Sequence, residues 1–316
     1  MEFLTTIEKI NKRASAKFSQ SFLLEAMIGL NSRYQNRYID TLNCSELIYR
    51  ENGKLKSRYC RNRWCKICNR IRTGILINGY SQALDAMVDK QFVTLTIKNV
   101  TAENLRTNIK EMLKTCRKIQ EIRRKRDKLP GINAIRKLEC TYNAEKNNFH
   151  PHFHFIVSTR EEAEYLKNAW IRYYPEVNEK AQDIREAYNP AELFKYFTKL
   201  TSKTATEERK YKTGNIRITS EYMYPEAIDT IFQAIEKIRI VQPMGKIKLV
   251  KDEIEELQAE IIDETVSQED ADIFYLWAES YWFSPYTGVI LSSFKPSKKN
   301  TIFAKRIRYL KKEPAT

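Results

Sequence analysis

Alternation of apolar and polar positions predicts a group of strands in the middle of the chain. Residues 92–97 read Phe-Val-Thr-Leu-Thr-Ile, so an apolar side chain recurs at every second position. Residues 132–142 and 149–157 have a similar strand-like composition and flank a polar stretch at 143–148, which predicts a hairpin. A further short strand is expected at 183–187.

Between these strands, apolar residues recur at helical spacing. Thr101 precedes a helix whose apolar stripe consists of Leu105, Ile109, Met112, Leu113, Cys116 and Ile119. Thr159 is followed three residues later by Glu162, which is the pattern of a capping box. Asn189 followed by Pro190 predicts the start of a third helix. Helices combined with an antiparallel hairpin indicate the α+β class.

The charge of the chain narrows its class of partner. The 316 residues include 55 Lys and Arg against 40 Asp and Glu, a formal net charge of +15. Residues 1–75 alone hold 15 basic and 6 acidic residues, and a second basic block lies at 123–126. A surface this basic indicates an anionic partner, for which nucleic acid is the usual case.

Apolar runs and the first residues of the chain bear on where it works. No apolar run approaches the ~20 residues that a membrane span needs. The N-terminus lacks the basic-then-apolar layout of a signal peptide. We therefore expect a cytoplasmic protein without a membrane partner. In such a reducing setting, the six cysteines are thiols or metal ligands rather than disulfides.

Four cysteines have the spacing of a metal site. Cys60, Cys65 and Cys68 follow one another closely, and Cys44 lies upstream. The two-residue gap between Cys65 and Cys68 is typical of a tetrahedral Zn²⁺ site, although four unrelated buried thiols would look similar. Basic residues interleave this cluster, which indicates a DNA-contacting element. With the second basic block included, the candidate DNA contacts are Arg61, Arg63, Arg70, Arg123 and Arg124.

All three histidines lie within one predicted strand, at His150, His152 and His154. Side chains alternate between faces along a strand, so the three imidazoles share one face while Phe153 and Phe155 share the other. Two imidazoles placed two residues apart can bind one divalent cation. A chance cluster of half-exposed histidines is the alternative, and the phenylalanine face argues against it.

Glu139 is the candidate for a third ligand. If the hairpin pivots symmetrically between Glu145 and Lys146, Glu139 lies opposite His152, although a slip of one residue would move it to the other face. Its neighbour Cys140 and the preceding leucine are apolar, so Glu139 is a charge inside an otherwise apolar strand. Such a charge needs a partner, and a cation beside two histidines would supply one.

The predicted third helix carries a second reactive group. Glu192, Tyr196 and Lys199 fall at i, i+4 and i+7, and therefore on one helix face. A tyrosine beside a metal-bound phosphate and a lysine is a potential nucleophile, and a carboxylate nearby can activate water. Each residue also has an ordinary interpretation: one of 18 tyrosines, a capping-box glutamate and a solvated lysine.

The order of these features resembles the single-tyrosine replication initiators of small rolling-circle plasmids, a family of HUH endonucleases. The resemblance covers roughly residues 44–200. Residues 92–96 are similar to the family's first motif, 150–154 to its second and 192–199 to its third. Residues 60–68 are similar to its cysteine motif.

The resemblance implies a fold, a chemistry and partners. The fold would be a ferredoxin-like antiparallel sheet of about five strands flanked by helices, with the histidine strand at its centre. His152 and His154, with Glu139, would bind Mg²⁺ or Mn²⁺. Tyr196 would attack a phosphodiester of single-stranded or hairpin origin DNA and form a 5′-phosphotyrosine. Glu192 would activate water for termination, Lys199 would position the reacting groups, and host helicase and polymerase would act next.

The sequence departs from the family pattern at Lys66, where proline is usual, and this weakens the expected zinc geometry slightly. A transposase or mobilisation relaxase would share the same chemistry. A zinc-containing DNA-binding regulator without enzymatic activity is the alternative of another class. The oligomeric state is left open, with a dimer as one option.

Three consecutive regions are predicted. Residues 1–80 form a basic N-terminal region with the zinc cysteines at 44–68, residues 81–205 form the nicking domain, and 206–316 form a mixed extension for DNA binding or assembly. Residues 252–272 contain 10 acidic residues and no basic ones. This composition favours a solvated helix face over a mask for the basic surface.

Overall fold

The computed structural model describes residues 6–51, 54–194, 202–211, 214–251, 260–261, 274–297 and 307–310. Within them the chain forms two compact units, one from positions before 73 together with those after 251, and one from positions 73–251. This grouping differs from the predicted consecutive regions because strands late in the chain pair with strands near its start.

Helices and strands are mixed throughout the described residues. The helices there are α1 (Thr6–Ile28), α2 (Gln35–Leu42), α3 (Lys66–Asp85), α4 (Ala102–Lys125), α5 (Arg160–Tyr173) and α6 (Pro225–Ala234). The strands there are β1 (Leu47–Glu51), β2 (Lys54–Ser57), β3 (Gln91–Thr96), β4 (Ala134–Asn143), β5 (Asn148–Val157), β6 (Asp183–Glu186), β7 (Ser202–Tyr211), β8 (Gly214–Tyr222), β9 (Val241–Met244), β10 (Glu260–Ile261), β11 (Phe274–Ala278) and β12 (Tyr281–Phe283). The α+β class is confirmed.

The first unit contains a sheet in the order β10-β2-β1-β11-β12. Strand β11 runs antiparallel to β1 and places Leu276 opposite Leu47. Trp282 of β12 is fully buried, and its indole N–H donates to the Ser45 carbonyl at 2.9 Å. Ile10 of α1 packs into the same core. The late segment therefore supplies an aromatic anchor for a sheet that starts near the N-terminus.

The second unit contains a five-stranded antiparallel sheet in the order β6-β3-β5-β4-β9. The histidine strand β5 lies at its centre, as expected for the fold. Phe153 and Phe155 are fully buried on one face, and the Phe153 ring lies 5.8 Å from Trp170 of α5. The same alternation leaves the opposite face to the histidines. In addition, β7 and β8 form a separate two-stranded sheet.

Local sequence signals place α4 and α5 correctly. Thr159 precedes α5, and its side chain accepts a hydrogen bond from the Glu162 backbone N–H at 3.2 Å. The Glu162 carboxylate accepts from the Asn133 N–H instead of closing the capping box. Thr101 precedes α4, but its side chain makes no cap bond to the backbone. The predicted apolar stripe is buried at Leu105, Ile109, Met112, Cys116 and Ile119, and half-buried at Leu113.

The segment after Asn189 is only partly described. Pro190–Phe194 forms a short 3₁₀ helix rather than the first turn of an α-helix. Leu193 and Phe194 are buried, and the Phe194 ring stacks on Tyr80 at 5.7 Å between centroids. These contacts hold the start of the segment against the second unit's core.

Only residues 260–261 of the acidic stretch 252–272 are described. They form β10, which pairs with β2, so the expected helix face is not present at these two positions. Among the described residues, no helix combines the length and apolar character that a membrane span requires.

Candidate metal centres

The hairpin of β4 and β5 assembles the first centre. Its register places Glu139 directly opposite His152, which confirms the symmetric pivot predicted from the sequence. The next pair on this face, Lys137 and His154, follows two residues along each strand. Since side chains two residues apart share a face, the hairpin brings the carboxylate and both imidazoles together.

The geometry of these three groups suits a cation. The Glu139 Oε2 atom lies 3.5 Å from Nε2 of His152 and 3.5 Å from Nε2 of His154. One potential ligand atom from each residue falls within 4.8 Å of the others. A carboxylate with two imidazoles is a common donor set for divalent metals, so the predicted trio can hold a metal ion.

Hydrogen bonds to the other ring nitrogens orient the imidazoles. His152 Nδ1 lies 3.0 Å from the His150 carbonyl oxygen, to which it must donate. His154 Nδ1 lies 3.1 Å from the Thr94 hydroxyl on β3. In the neutral ring of His152, the bonded Nδ1–H leaves the lone pair on Nε2, which is the atom that faces Glu139.

Lys137 is a member of this site that the sequence interpretation missed. Its buried ammonium lies 2.7 Å from Glu139 Oε1, while Oε2 faces the imidazoles. Burial raises the pKa of Glu139, but the adjacent imidazoles and the lysine charge outweigh it and hold this pKa below its ordinary value. Burial lowers the pKa of Lys137, and Glu139 opposes that shift. The signal was present: Lys137 stands two residues before Glu139, on the same strand face.

His150 lies beside the trio rather than within it. Its ring stacks on that of His152 with centroids 5.1 Å apart and an interplanar angle of 25°. Burial, together with the neighbouring His152 and His154, lowers the pKa of His150 to about 4. The third histidine is therefore neutral near pH 7 and forms a flat wall next to the metal ligands.

The second centre comprises the four predicted cysteines. Cys44, Cys60, Cys65 and Cys68 place their sulfur atoms within 4.8 Å of one another. The Cys68 Sγ lies 3.6 Å from that of Cys44 and 3.7 Å from that of Cys60. Four thiols this close can hold a metal ion, and three different backbone segments contribute them: the end of α2, the loop after β2 and the start of α3.

The four cysteines shift the pKa values of one another in opposite directions. Burial raises the pKa of Cys65, but hydrogen bonds from the other cysteines lower it well below its ordinary value. Hydrogen bonds from neighbouring cysteines, with burial, raise the pKa of Cys44. The neighbouring thiols therefore favour the thiolate form of Cys65. The buried Lys17 ammonium donates to the Leu42 and Cys44 carbonyls and supplies positive charge nearby.

Lys66 replaces the usual proline without loss of a ligand. Its backbone N–H donates to the Gln20 side-chain oxygen, a contact that proline could not make. Gln20 is buried, and its amide nitrogen lies 4.0 Å from the Cys65 sulfur. Burial, with a contribution from Arg70, lowers the pKa of Lys66 to about 8. The departure from the family pattern therefore ties the cysteine segment to α1.

One predicted DNA contact is wrong. Arg123 is only 3% exposed. Its guanidinium donates to the Pro130 carbonyl at 2.8 Å, approaches Glu161 at 3.3 Å and lies 4.5 Å over the Tyr165 ring. A side chain engaged in this way braces α4 and cannot reach a DNA backbone. The other predicted arginines differ: Arg61, Arg70 and Arg124 are exposed and Arg63 is half-buried.

Cys116 and Cys140 are buried in the core of the second unit, as the apolar stripe predicts for Cys116. The catalytic roles of Glu192, Tyr196 and Lys199 stay predictions. Tyr196 and Lys199 lie outside the described residues, and the side chain of Glu192 is also outside them.

Comparison with known proteins identifies the family. A family model described as "Replication protein" matches residues 53–282, which is most of the chain and includes the histidine hairpin. The chain therefore belongs to this family of replication proteins.

Curated relatives carry the same description. A "Protein rep" of a Bacillus species is 30% identical over 162 residues, 46% of this chain and 52% of the relative. That of Streptococcus pneumoniae is 30% identical over 143 residues, 42% of each protein. That of Lentilactobacillus hilgardii is 23% identical over 267 residues, 77% of this chain and 81% of the relative. The chain thus spans about half the length of the first two relatives. No solved structure matches the chain.

Proposed function

We propose that the protein initiates rolling-circle replication of a plasmid by cutting one strand of its origin DNA and joining it covalently to Tyr196. Membership of the replication protein family supports the biological role. The convergence of Glu139, His152 and His154 on one sheet face is the observation that carries the chemistry.

The residues at this centre fit a divalent metal. Two imidazoles and one carboxylate would hold Mg²⁺ or Mn²⁺, which supplies Lewis-acid polarisation of the scissile phosphate when bound. Lys137 occupies one oxygen of Glu139, so the other oxygen is the one directed at the imidazoles. The neutral His150 ring beside them would contact the substrate without adding a charge to the site.

Tyr196 would act as the nucleophile. Its phenol has an ordinary pKa of about 10, so loss of its proton must be assisted, and Lys199 is placed in the sequence to stabilise the phenolate. The phenolate oxygen bonds to phosphorus while the bond from phosphorus to the 3′ oxygen breaks. That oxygen takes up a proton, equal to the one that the phenol releases to solvent, and becomes the 3′ hydroxyl that host polymerase extends. Glu192 would later activate water to end the cycle.

The basic first unit would grip the DNA. Arg61 and Arg70 are exposed beside the four cysteines, and Arg63 is half-buried there. A Zn²⁺ ion bound by those cysteines would fix the loop that presents these arginines. Host helicase and polymerase, and single-stranded or hairpin origin DNA, are the partners this role requires.

The test is formation of a covalent adduct. Wild-type protein, incubated with single-stranded oligonucleotides that tile the replicon and with Mn²⁺, should give a slower band on a denaturing gel. Tyr196→Phe should give none, because the nucleophilic oxygen is absent. Tyr188→Phe is the matched control, since this exposed tyrosine precedes Pro190 and should leave the adduct unchanged.

Two results would contradict the proposal. An adduct of undiminished yield in Tyr196→Phe would mean that another residue attacks the DNA. The absence of any adduct with wild-type protein that binds the same oligonucleotides would favour the non-enzymatic DNA-binding regulator.

A further inference from the structure

A hollow of about 600 Å³ opens on the histidine face next to the metal ligands. Its lining includes Lys98, Asn99, Lys146, Asn148, His150 and Asn178, and we refer to it as the His150 pocket. The volume is within the range of roughly 300–1,000 Å³ that small-ligand sites occupy.

The pocket lies next to the metal trio, because its lining residue His150 is two residues from the metal ligand His152 on β5. His150 forms part of its lining, and the His150 ring stacks on the ring of the metal ligand His152. Thr96, which also lines the pocket, pairs with His152 across the β3–β5 ladder. The buried Gln182 fixes Thr96 by accepting from its N–H at 2.8 Å and bonding to its hydroxyl at 3.0 Å. A ligand held here would therefore have its end at the metal ligands.

The charge of the pocket favours an anion. Lys98 and Lys146 are exposed, and none of the described residues that line the pocket is acidic. In the described part of the chain, neither lysine forms an ion pair with an acidic residue. Two ammonium groups without acidic partners are suited to phosphate groups, to which lysine contributes a point charge.

The amides of the pocket favour a ligand with both donors and acceptors. The Asn99 amide donates to the Asn148 side-chain oxygen at 2.8 Å. Within the pair, the Asn99 oxygen remains as an acceptor and the Asn148 amide as a donor, and rotating both amides preserves one of each. Base edges present this combination of groups, and the flat His150 ring suits a stacked base.

We propose that the His150 pocket binds one nucleotide of the single strand, adjacent to the phosphate at the metal centre. This inference rests on the proposed function, since it assigns a subsite for the same DNA substrate. Lys98 and Lys146 contact the flanking phosphates, and the asparagine pair contacts the base.

The test measures DNA binding without cutting. Fluorescence anisotropy with a labelled oligodeoxythymidylate, without added divalent metal ion, gives the Kd at several KCl concentrations. The double variant Lys98→Ala/Lys146→Ala should bind on the order of tenfold more weakly, as expected when charged hydrogen bonds are lost. Its salt dependence, as the slope of log Kd against log [KCl], should fall by about 0.7 for each phosphate contact removed.

The matched control is Lys110→Ala/Lys118→Ala, which removes the same charge from exposed positions of α4. Helix α4 packs against the opposite, phenylalanine-bearing side of the sheet, so this variant should keep the wild-type salt slope. Equal loss of affinity and slope in the two variants would overturn the inference, because net charge alone would then explain the binding.

A second variant tests the base contact. Asn99→Ala/Asn148→Ala should keep the salt slope but change the ratio of affinities for oligodeoxythymidylate and oligodeoxycytidylate. An unchanged ratio would overturn the assigned base contact.

These outcomes are separable from those of the proposed function. If the lysine variant and its control behave alike while wild-type protein still forms the Tyr196 adduct, the pocket inference fails alone. If the lysine variant loses binding but wild-type protein forms no adduct with Mn²⁺, the pocket stands as a strand-binding site and the nicking proposal fails.

Discussion

The two carboxylate oxygens of Glu139 contact different partners. Its Oε1 atom pairs with the buried Lys137 ammonium, and its Oε2 atom faces two imidazoles. The lysine balances the negative charge when no cation is bound and competes with a cation for the same carboxylate. The charge state of the metal centre therefore depends on a residue that is not itself a ligand.

Replacement of Lys137 by methionine should separate these effects. Without the ammonium, the buried carboxylate loses a partner, so the free energy of unfolding without added Mn²⁺ should fall by roughly 3 kcal/mol. Mn²⁺ should then restore more stability than it adds to wild type, because the cation replaces the missing charge. Thermal unfolding with and without Mn²⁺ measures both quantities.

Glu139→Gln is the control for this experiment. The amide removes the negative charge, so the Mn²⁺-induced shift in melting temperature should shrink below the wild-type value. An equal shift in Lys137→Met and wild type would show that the lysine does not compete with the cation.

At the scale of the elements, the hairpin shows what the sequence can predict. The register of β4 and β5 follows from a symmetric polar turn and an alternating pattern. The pairing of Glu139 with His152 can therefore be predicted from the sequence. The four-cysteine cluster can likewise be predicted from the sequence, because the spacing of its cysteines is short. Both cases depend on residues close in sequence or on one local turn.

Other contacts between elements cannot be predicted from the sequence. The pairing of β11 with β1 joins segments more than two hundred residues apart, and no local pattern encodes such a partner. The basic neighbours of Arg123 predict a DNA contact, but Glu161 and Tyr165 of another helix enclose its side chain. Long-range burial of this kind depends on tertiary packing rather than on periodicity.

The cysteine centre should hold α3, the loop after β2 and the end of α2 together through one metal ion. Cys68→Ser should remove the bound zinc, about one ion per chain, and lower the resistance of the first unit to proteolysis. Elemental analysis of purified protein and limited proteolysis measure the two effects.

Cys116→Ala is the matched control, since this thiol is buried in α4 and is not one of the four cluster cysteines. It should retain the full zinc content and lose only about 1 kcal/mol of stability from the core. Equal zinc content in Cys68→Ser and wild type would contradict a four-cysteine site.

At the scale of the whole molecule, the two units divide the chemistry of the proposed function. The first unit carries the cysteine centre and exposed arginines, and the second carries the histidine hairpin and the His150 pocket. The formal net charge of +15 suits a protein that holds a DNA strand. The family match extends through both units, from residue 53 to residue 282.

Locating the covalent bond between protein and DNA tests the proposed mechanism most directly. Protein incubated with single-stranded origin DNA and Mn²⁺ is digested with nuclease and protease, and the linked peptide is sequenced by mass spectrometry. The proposed mechanism predicts a nucleotide joined through its 5′ phosphate to Tyr196, and no such peptide from His152→Ala/His154→Ala. A linkage at another residue, or an unchanged yield without both imidazoles, would contradict it.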